Sequence, residues 1–276
     1  MPSNSLWAGA DIFLSLVDNI QETFGITPLE AMAAGLPVVV SDWNGYRYTV
    51  EDGVQGFLVP TLIGPAGALP DTFEAGHTFG QRTYQQYVGI LAQHTAVDVE
   101  GAAVALSRLI ESPDLRRGMG AAGRERVRRL FDWPVVAPQY RALGAELAAI
   151  RRAATGDTSA GGRHPVRGEP LADFTHFATR VMTEDTVLIL RAGVGREDLD
   201  RAARTQLDSF AGNWRSSIEE CELVLHHLSR HGPTPVATLL GLVARGRRRA
   251  LRMGLLWMTK LGLLTWAMGG ASDDAL

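Results

Sequence analysis

Cysteine occurs once, at Cys221, and lysine once, at Lys260. A single cysteine excludes an intrachain disulfide and favours a reducing compartment. A single lysine leaves arginine as the cation, and with much Ala and Gly this bias reads as base composition rather than function. No apolar run is long enough to span a membrane. The most apolar late stretch, Leu255 to Met268, is too short, contains Lys260 and reads as a core helix and strand. The first residues show no basic stretch followed by an apolar one and a small-residue cleavage site, so no secretory signal is expected. The expected location is the cytoplasm, at most peripheral to the inner face of the membrane. A large charge imbalance is also absent: the net charge is −3, which excludes the overall charge of a nucleic-acid binder. Residues 1–150 hold 16 acids against 10 bases and residues 151–276 hold 14 against 17, so positive charge gathers late.

What is present is organised around Glu22-Thr23-Phe24-Gly25-Ile26-Thr27-Pro28-Leu29-Glu30. Before it, Ile12 to Val17 is apolar and β-prone. After it, Leu29 to Ala34 has a helical pattern, Gly35 ends it, and Pro37 to Ser41 reads as a second buried strand. Strand, loop, helix, strand is the building block of a parallel sheet covered by helices. Ligands of such sheets bind beyond the carboxyl ends of the strands, where this loop lies. Thr27 suits an N-cap, Pro28 the first helical position, and Glu30 then completes a capping box. The loop presents backbone amides at the positive end of a helix, a place for phosphate or sugar hydroxyls. The two carboxylates beside it are hydrogen-bond acceptors for hydroxyls.

Glu22 and Glu30, with seven residues between them, lie in E-T-F-G-I-T-P-L-E-A-M-A-A-G-L-P-V-V. This resembles the E-x7-E signature of the retaining family-4 glycosyltransferases. Ala10-Asp11 before the first strand, and Asp52-Gly53 and Gly56 to Pro60 after the second, agree with it. The resemblance covers about residues 7 to 150. It implies a GT-B fold, two Rossmann-like domains facing a cleft, of which this chain would hold the C-terminal part of the nucleotide-sugar domain. The family fold places a longer stretch before Met1, including the acceptor-binding domain, so the expectation is a truncated product or a missing N-terminal domain. The implied reaction moves a sugar from a nucleotide-diphosphate donor to a glycan or other acceptor hydroxyl, with retention and without a metal or other cofactor. By the same resemblance Glu22 is catalytic and contacts the donor sugar, and Glu30 holds the ribose. The amides of Phe24, Gly25, Ile26 and Thr27 meet sugar or phosphate. The family's Arg and Lys that neutralise the diphosphate have no counterpart in this chain.

Beyond this, Ser41 to Gly53 holds the turn Asp42-Trp43-Asn44-Gly45 and a short helical turn, Tyr46 to Val50. Turn chemistry explains Asn44-Gly45; in the resembled family this loop lies near the cleft, which implies a minor contact by Tyr46 or Arg47. Residues 61 to 97 depart from the family pattern: Leu62 to Gly80 reads as a loop and Arg82 to Gln93 as an amphipathic helix. His77 and His94 read as exposed loop residues, not metal ligands. Asp98 and Ser112-Pro113-Asp114 open two helices. Arg124, Arg126, Arg128 and Arg129 sit at the end of the second, where positive charge suits its dipole. Phe131 to Pro134 starts a helix to about Arg152, which in the resembled fold packs on the N-terminal domain and would otherwise expose apolar surface.

The domain expectation is 1–153, a linker at 154–170, and 171–276. The last segment reads as mostly helical: Phe174, Phe177 and Val181 on one face, Glu197 to Phe210, Ile218 to Ser229, a short helix from Thr234-Pro235 to Val243, a tight turn, Arg247 to Leu261, and a strand at Gly262 to Trp266. That order looks like a winged helix. The fold class is thus α/β, a partial Rossmann-like parallel sheet followed by a winged-helix-like domain. Arg247, Arg248, Arg249 and Arg252 open the recognition-like helix, but a protein partner is expected over nucleic acid. The competing reading is a catalytically inactive transferase half acting as an interaction or DNA-binding regulatory module.

Overall fold

The computed structural model describes residues 4–69, 73, 76, 77, 79–154, 169–205 and 214–267. In chain order, residues 4–59 form α1 (Asn4–Ala8), β1 (Phe13–Ser15), α2 (Ile26–Ala34), β2 (Val38–Ser41), α3 (Tyr46–Thr49) and β3 (Gly56–Val59). Next come β4 (Thr61–Ile63), α4 (Tyr84–Ala92) and β5 (Ala96–Val97), then α5 (Val99–Glu111), α6 (Pro113–Leu130) and α7 (Trp133–Ala153). The remainder holds α8 (Pro170–Asp173), β6 (Arg180–Val181), β7 (Val187–Leu190), α9 (Arg196–Ala203), α10 (Ile218–His231), β8 (Thr234–Pro235), α11 (Val236–Leu240), α12 (Arg248–Lys260) and β9 (Leu264–Trp266).

Two compact units result. The first takes the described residues of 4–17, 22–59 and 100–154; the second takes 18–21, 60–99 and 169–267.

In the first unit β1, β2 and β3 form a parallel sheet with β2 in the centre. Every residue of β2 is buried, as a central strand covered on both faces requires. The expected strand, loop, helix, strand unit is therefore present. Gly35 ends α2 with φ 88°: its N–H donates to Met32 O and that of Leu36 to Ala31 O, a Schellman close. Leu29, Met32, Leu36, Val38, Val40 and Tyr46 form the core between α2 and the sheet.

Helix α6 starts as its sequence indicates, with Ser112 Oγ accepting from Leu115 N at 3.2 Å and Pro113 in the first turn. It lies close along α2. A Cβ on Gly120 would stand 2.0 Å from Gly35 O, and one on Gly123 3.1 Å from the Met32 side chain. Only glycine permits the first approach. Two of its arginines serve other helices. Arg124 donates to Ala33 O and Ala34 O at the end of α2, and Arg126 to Tyr48 O and Thr49 O at the end of α3. The dipole they complement belongs to these neighbours.

In the second unit β4 pairs antiparallel with β5 and parallel with β6. Thr61 and Thr179 exchange amide-to-hydroxyl hydrogen bonds of 2.8 Å each way. A second sheet orders β8, β7 and β9 antiparallel around β7. The segment read as mostly helical thus contains four short strands, and the Phe174 to Val181 face is a 3-10 turn running into β6. Helix α12 is a core element, with Leu251 and Met253 to Thr259 buried. Lys260 at its end forms an ion pair with Asp18. His94 is buried, correcting its reading as an exposed histidine: residues after α4 fold inward, and its Nδ1 lies 2.6 Å from Ile90 O. The late part of the Glu197 to Phe210 helix lies outside the described residues, as does most of the 154–170 linker.

Candidate functional site

The site is built where β1 gives way to α2. Gly25 precedes the helix at φ 72°, and a Cβ there would sit 2.0 Å from Cε1 of Tyr46. Both the left-handed backbone and the ring beneath it require glycine. From the other side Gly45 N donates to Thr23 O at 3.0 Å, and a Cβ on Gly45 would meet that oxygen at 2.0 Å. The turn Trp43 to Tyr46 therefore seats the 22–25 loop against the core. Turn chemistry alone did not reveal this role for Gly45.

Tyr46 is buried, and its hydroxyl shares a hydrogen bond with Ser15 at the end of β1. Burial pushes its pKa up, the Ser15 bond pulls it back, and the negative charge of Glu22 adds to the rise. The phenol stays protonated, a neutral hydroxyl within the field of Glu22. Arg47 turns to its own loop and donates to Asp42 Oδ1 at 2.8 Å.

Helix α2 begins at Ile26, with Gly25 at the cap and no side-chain capping bond. This corrects the capping box assigned to Thr27 and Glu30. Thr27 lies inside the first turn and Glu30 one turn in, exposed. Glu30 is thereby left without the capping role that accounted for it. Among the described residues, the amides of Phe24, Gly25, Ile26 and Thr27 meet no protein acceptor. Pro28 has no N–H to offer. A set of open donors thus stands at the positive end of α2.

The expected residues divide into two groups. Glu22 and Gly25 gather at Tyr46. Phe24, Ile26 and Glu30 line an open groove of about 600 Å³, completed by residues of α6, of α7 and of the turn between them, including Phe131, Trp133 and Tyr140. Phe24 meets Phe131 edge-on at 6.2 Å. Thr27 is exposed and lines neither group. The groove's aromatic wall was not foreseen, since it depends on α7 folding back beside α2. Among the described residues no group of three or more His, Cys, Asp or Glu is arranged to hold a metal.

Residues 4–64 match the family model described as glycosyl transferases group 1. Over that stretch the chain is similar to glycosyltransferases. A phosphatidyl-myo-inositol mannosyltransferase of Mycobacterium leprae is 37% identical over 118 residues, 43% of this chain and 22% of that protein. An alpha-maltose-1-phosphate synthase of Mycolicibacterium smegmatis is 32% identical over 131 residues, 46% of this chain and 26% of that protein. Among solved structures, sucrose-phosphate synthase from Thermosynechococcus elongatus is similar over 52% of this chain and 27% of that one, at 28% identity and a TM-score of 0.35. The chain spans about a fifth to a quarter of the length of the curated relatives it matches.

Proposed function

We propose that the first unit forms part of the donor site of a retaining, GT-B-type glycosyltransferase that moves a sugar from a nucleotide-diphosphate sugar to an acceptor hydroxyl. The observation that carries this reading is the row of open amides from Phe24 to Thr27, at the positive end of α2 and flanked by Glu22 and Glu30. These donors suit oxygen atoms of a sugar or a phosphate. Glu30 accepts from ribose hydroxyls at the mouth of the groove. Glu22, beside the neutral Tyr46 hydroxyl, faces the donor sugar and acts in the transition state. The family match and the mannosyl- and maltosyl-type relatives support the same chemistry.

In the second unit the run α10, β8, α11, α12, β9 keeps the order of a winged helix, and we assign it a protein-binding role. Arg247 holds Glu220 through two bonds of 2.8 Å, Arg249 donates to Ala68 O, and Arg252 meets Glu184. These cations are engaged within the chain, which counts against duplex DNA as the ligand.

Calorimetric titration of the protein with UDP, GDP and ADP tests the donor site. Saturable binding of one of them, competed by its nucleotide sugar, is the expected result. No binding of any nucleotide, together with no sugar release from its nucleotide sugars, would sink the reading.

A further inference from the structure

Residues 18–21 directly precede Glu22, yet they belong to the second unit, while Glu22 to Val59 belong to the first. The chain enters the second unit after Val17 and leaves it at Glu22. Two side chains fasten the segment there. Ile20 is buried. Asp18 forms an ion pair with Lys260, and the two side chains are only 21% and 25% exposed. Between them and Glu22 the backbone is bent by an Asx-type turn, in which Gln21 N donates to Asn19 Oδ1 at 2.9 Å. The lysine itself is placed by the core. Met253 to Thr259 of α12 are buried, and Lys260 is the last residue of that helix. Every other basic side chain among the 27 Lys and Arg is arginine. A compact ammonium on an unbranched stem meets a half-buried carboxylate by one contact, where a guanidinium would bring further donors to satisfy. A cation that served only the dipole of α12 would need no carboxylate and would keep its charge in water.

Beyond Glu22 the first unit takes hold of the chain: Gly45 N donates to Thr23 O at 3.0 Å, and Gly25 lies against the Tyr46 ring. Glu22 therefore stands between two fastened segments, whereas Glu30 is carried one turn into α2. We infer that Lys260 is a positioning residue for Glu22: by holding Asp18 it fixes the segment from which Glu22 projects, so the C-terminal unit governs the donor-sugar contact and leaves the nucleotide contact alone. This rests on the proposed donor site for what Glu22 does, but not for how Glu22 is held.

The test uses the full chain with Lys260→Met, Asp18→Asn and Lys260→Arg. Digestion by a glutamate-specific protease, read by fragment mass, reports how Glu22 is held without any ligand. Lys260→Met and Asp18→Asn should each raise cleavage after Glu22 about tenfold, with cleavage after Glu51 and Glu111 close to wild type. Lys260→Arg keeps the charge and should stay near the wild-type rate. The second arm uses whichever of UDP, GDP and ADP binds the wild type, with its nucleotide sugars. Lys260→Met and Asp18→Asn should keep nucleotide affinity and lower the kcat of sugar release about tenfold. Unchanged cleavage after Glu22 overturns the inference. So does an equal rise after all three glutamates, which marks general loosening, or a fall in nucleotide affinity as large as the fall in sugar release. If the wild type binds no nucleotide, the donor-site reading fails by itself, and the cleavage pattern still decides whether Lys260 holds the segment.

Discussion

Glu22 and Glu30 are eight positions apart in sequence yet sit in different surroundings, and their variants should separate. Glu30 is exposed at the groove and carries no capping bond, so Glu30→Gln should leave the unfolding midpoint unchanged. It should weaken nucleotide binding by about 1–3 kcal/mol, the cost of a lost charge-assisted bond. Glu22→Gln should leave nucleotide affinity nearly intact and lower turnover of the donor sugar, because the contact proposed for it is made in the transition state. Titration beside sugar-release kinetics reads both; wild-type values for the two variants would make the motif scaffolding. The motif and its spacing were legible in the sequence, but the cap was not. Thr27-Pro28-Leu29-Glu30 fits a capping box, yet proline is equally harmless anywhere among the first helical positions, whose amides need no intrahelical acceptor. It therefore cannot tell a start at Pro28 from a start at Ile26. His94 was misplaced for a similar reason, since burial of one histidine depends on chain that packs from elsewhere. Burial lowers its pKa to about 4; its bond to Ile90 resists the fall and the charge of Arg215 adds to it. The unfolded chain then binds the extra proton between its ordinary value near 6.5 and 4, so stability is lost as pH falls through that window. The loss is roughly 2–3 kcal/mol. Urea midpoints at pH 7 and pH 5 should differ less in His94→Asn, and an equal difference in both proteins would assign the loss to other groups.

Among elements, the pairing of α2 with α6 fixes the direction in which the open amides point. Two glycines of α6 should respond to alanine with opposite signs. At Gly118 a Cβ meets nothing within 4 Å, so Gly118→Ala should stabilise by about 0.5–1 kcal/mol through helix propensity. At Gly120 the same methyl drives into the Gly35 carbonyl, and Gly120→Ala should destabilise by about 1–3 kcal/mol. Denaturant midpoints of the two variants check this, and equal shifts would mean that α6 does not bear on α2. The parallel β1, α2, β2 unit was readable because periodicity changes from strand to helix and Gly35 punctuates it. Helix α4, read from Arg82, begins at Tyr84 behind a Thr83 cap that the sequence reading did not single out, whereas the start of α6 was readable from Ser112, which accepts at the cap. Strands of two to four residues such as β6 and β7 were not, because Val187 to Leu190 is too short for its pattern to distinguish a strand from a piece of helix. The role of Arg124 and Arg126 was hidden for a different reason: their acceptors are some 77 to 91 residues away in sequence.

At the scale of the whole molecule, the sequence offered a boundary at 154–170, a region rich in Gly and Pro. The structure groups 60–99 with 169–267 as well, through the pairing of β4 with β6, a contact that no local pattern announces. The core of this second unit holds Cys221, fully buried, with its thiol pushed to a higher pKa by that burial and its Sγ 3.2 Å from Ser216 Oγ. A thiol reagent should react with the native protein roughly a hundredfold or more slowly than with the denatured chain, at a rate set by opening of this unit. Rapid labelling in native buffer would show that α10 and α12 part readily. The ion pair between Lys260 and Asp18 bears on handling the protein. Lys260 is the only side-chain amine in the sequence. Reagents that acylate, carbamylate or bridge amines therefore find one internal target, already engaged with a carboxylate. The molecule's basic surface consists of guanidinium groups, and covalent mapping of its assemblies has to work through carboxylates or introduced thiols.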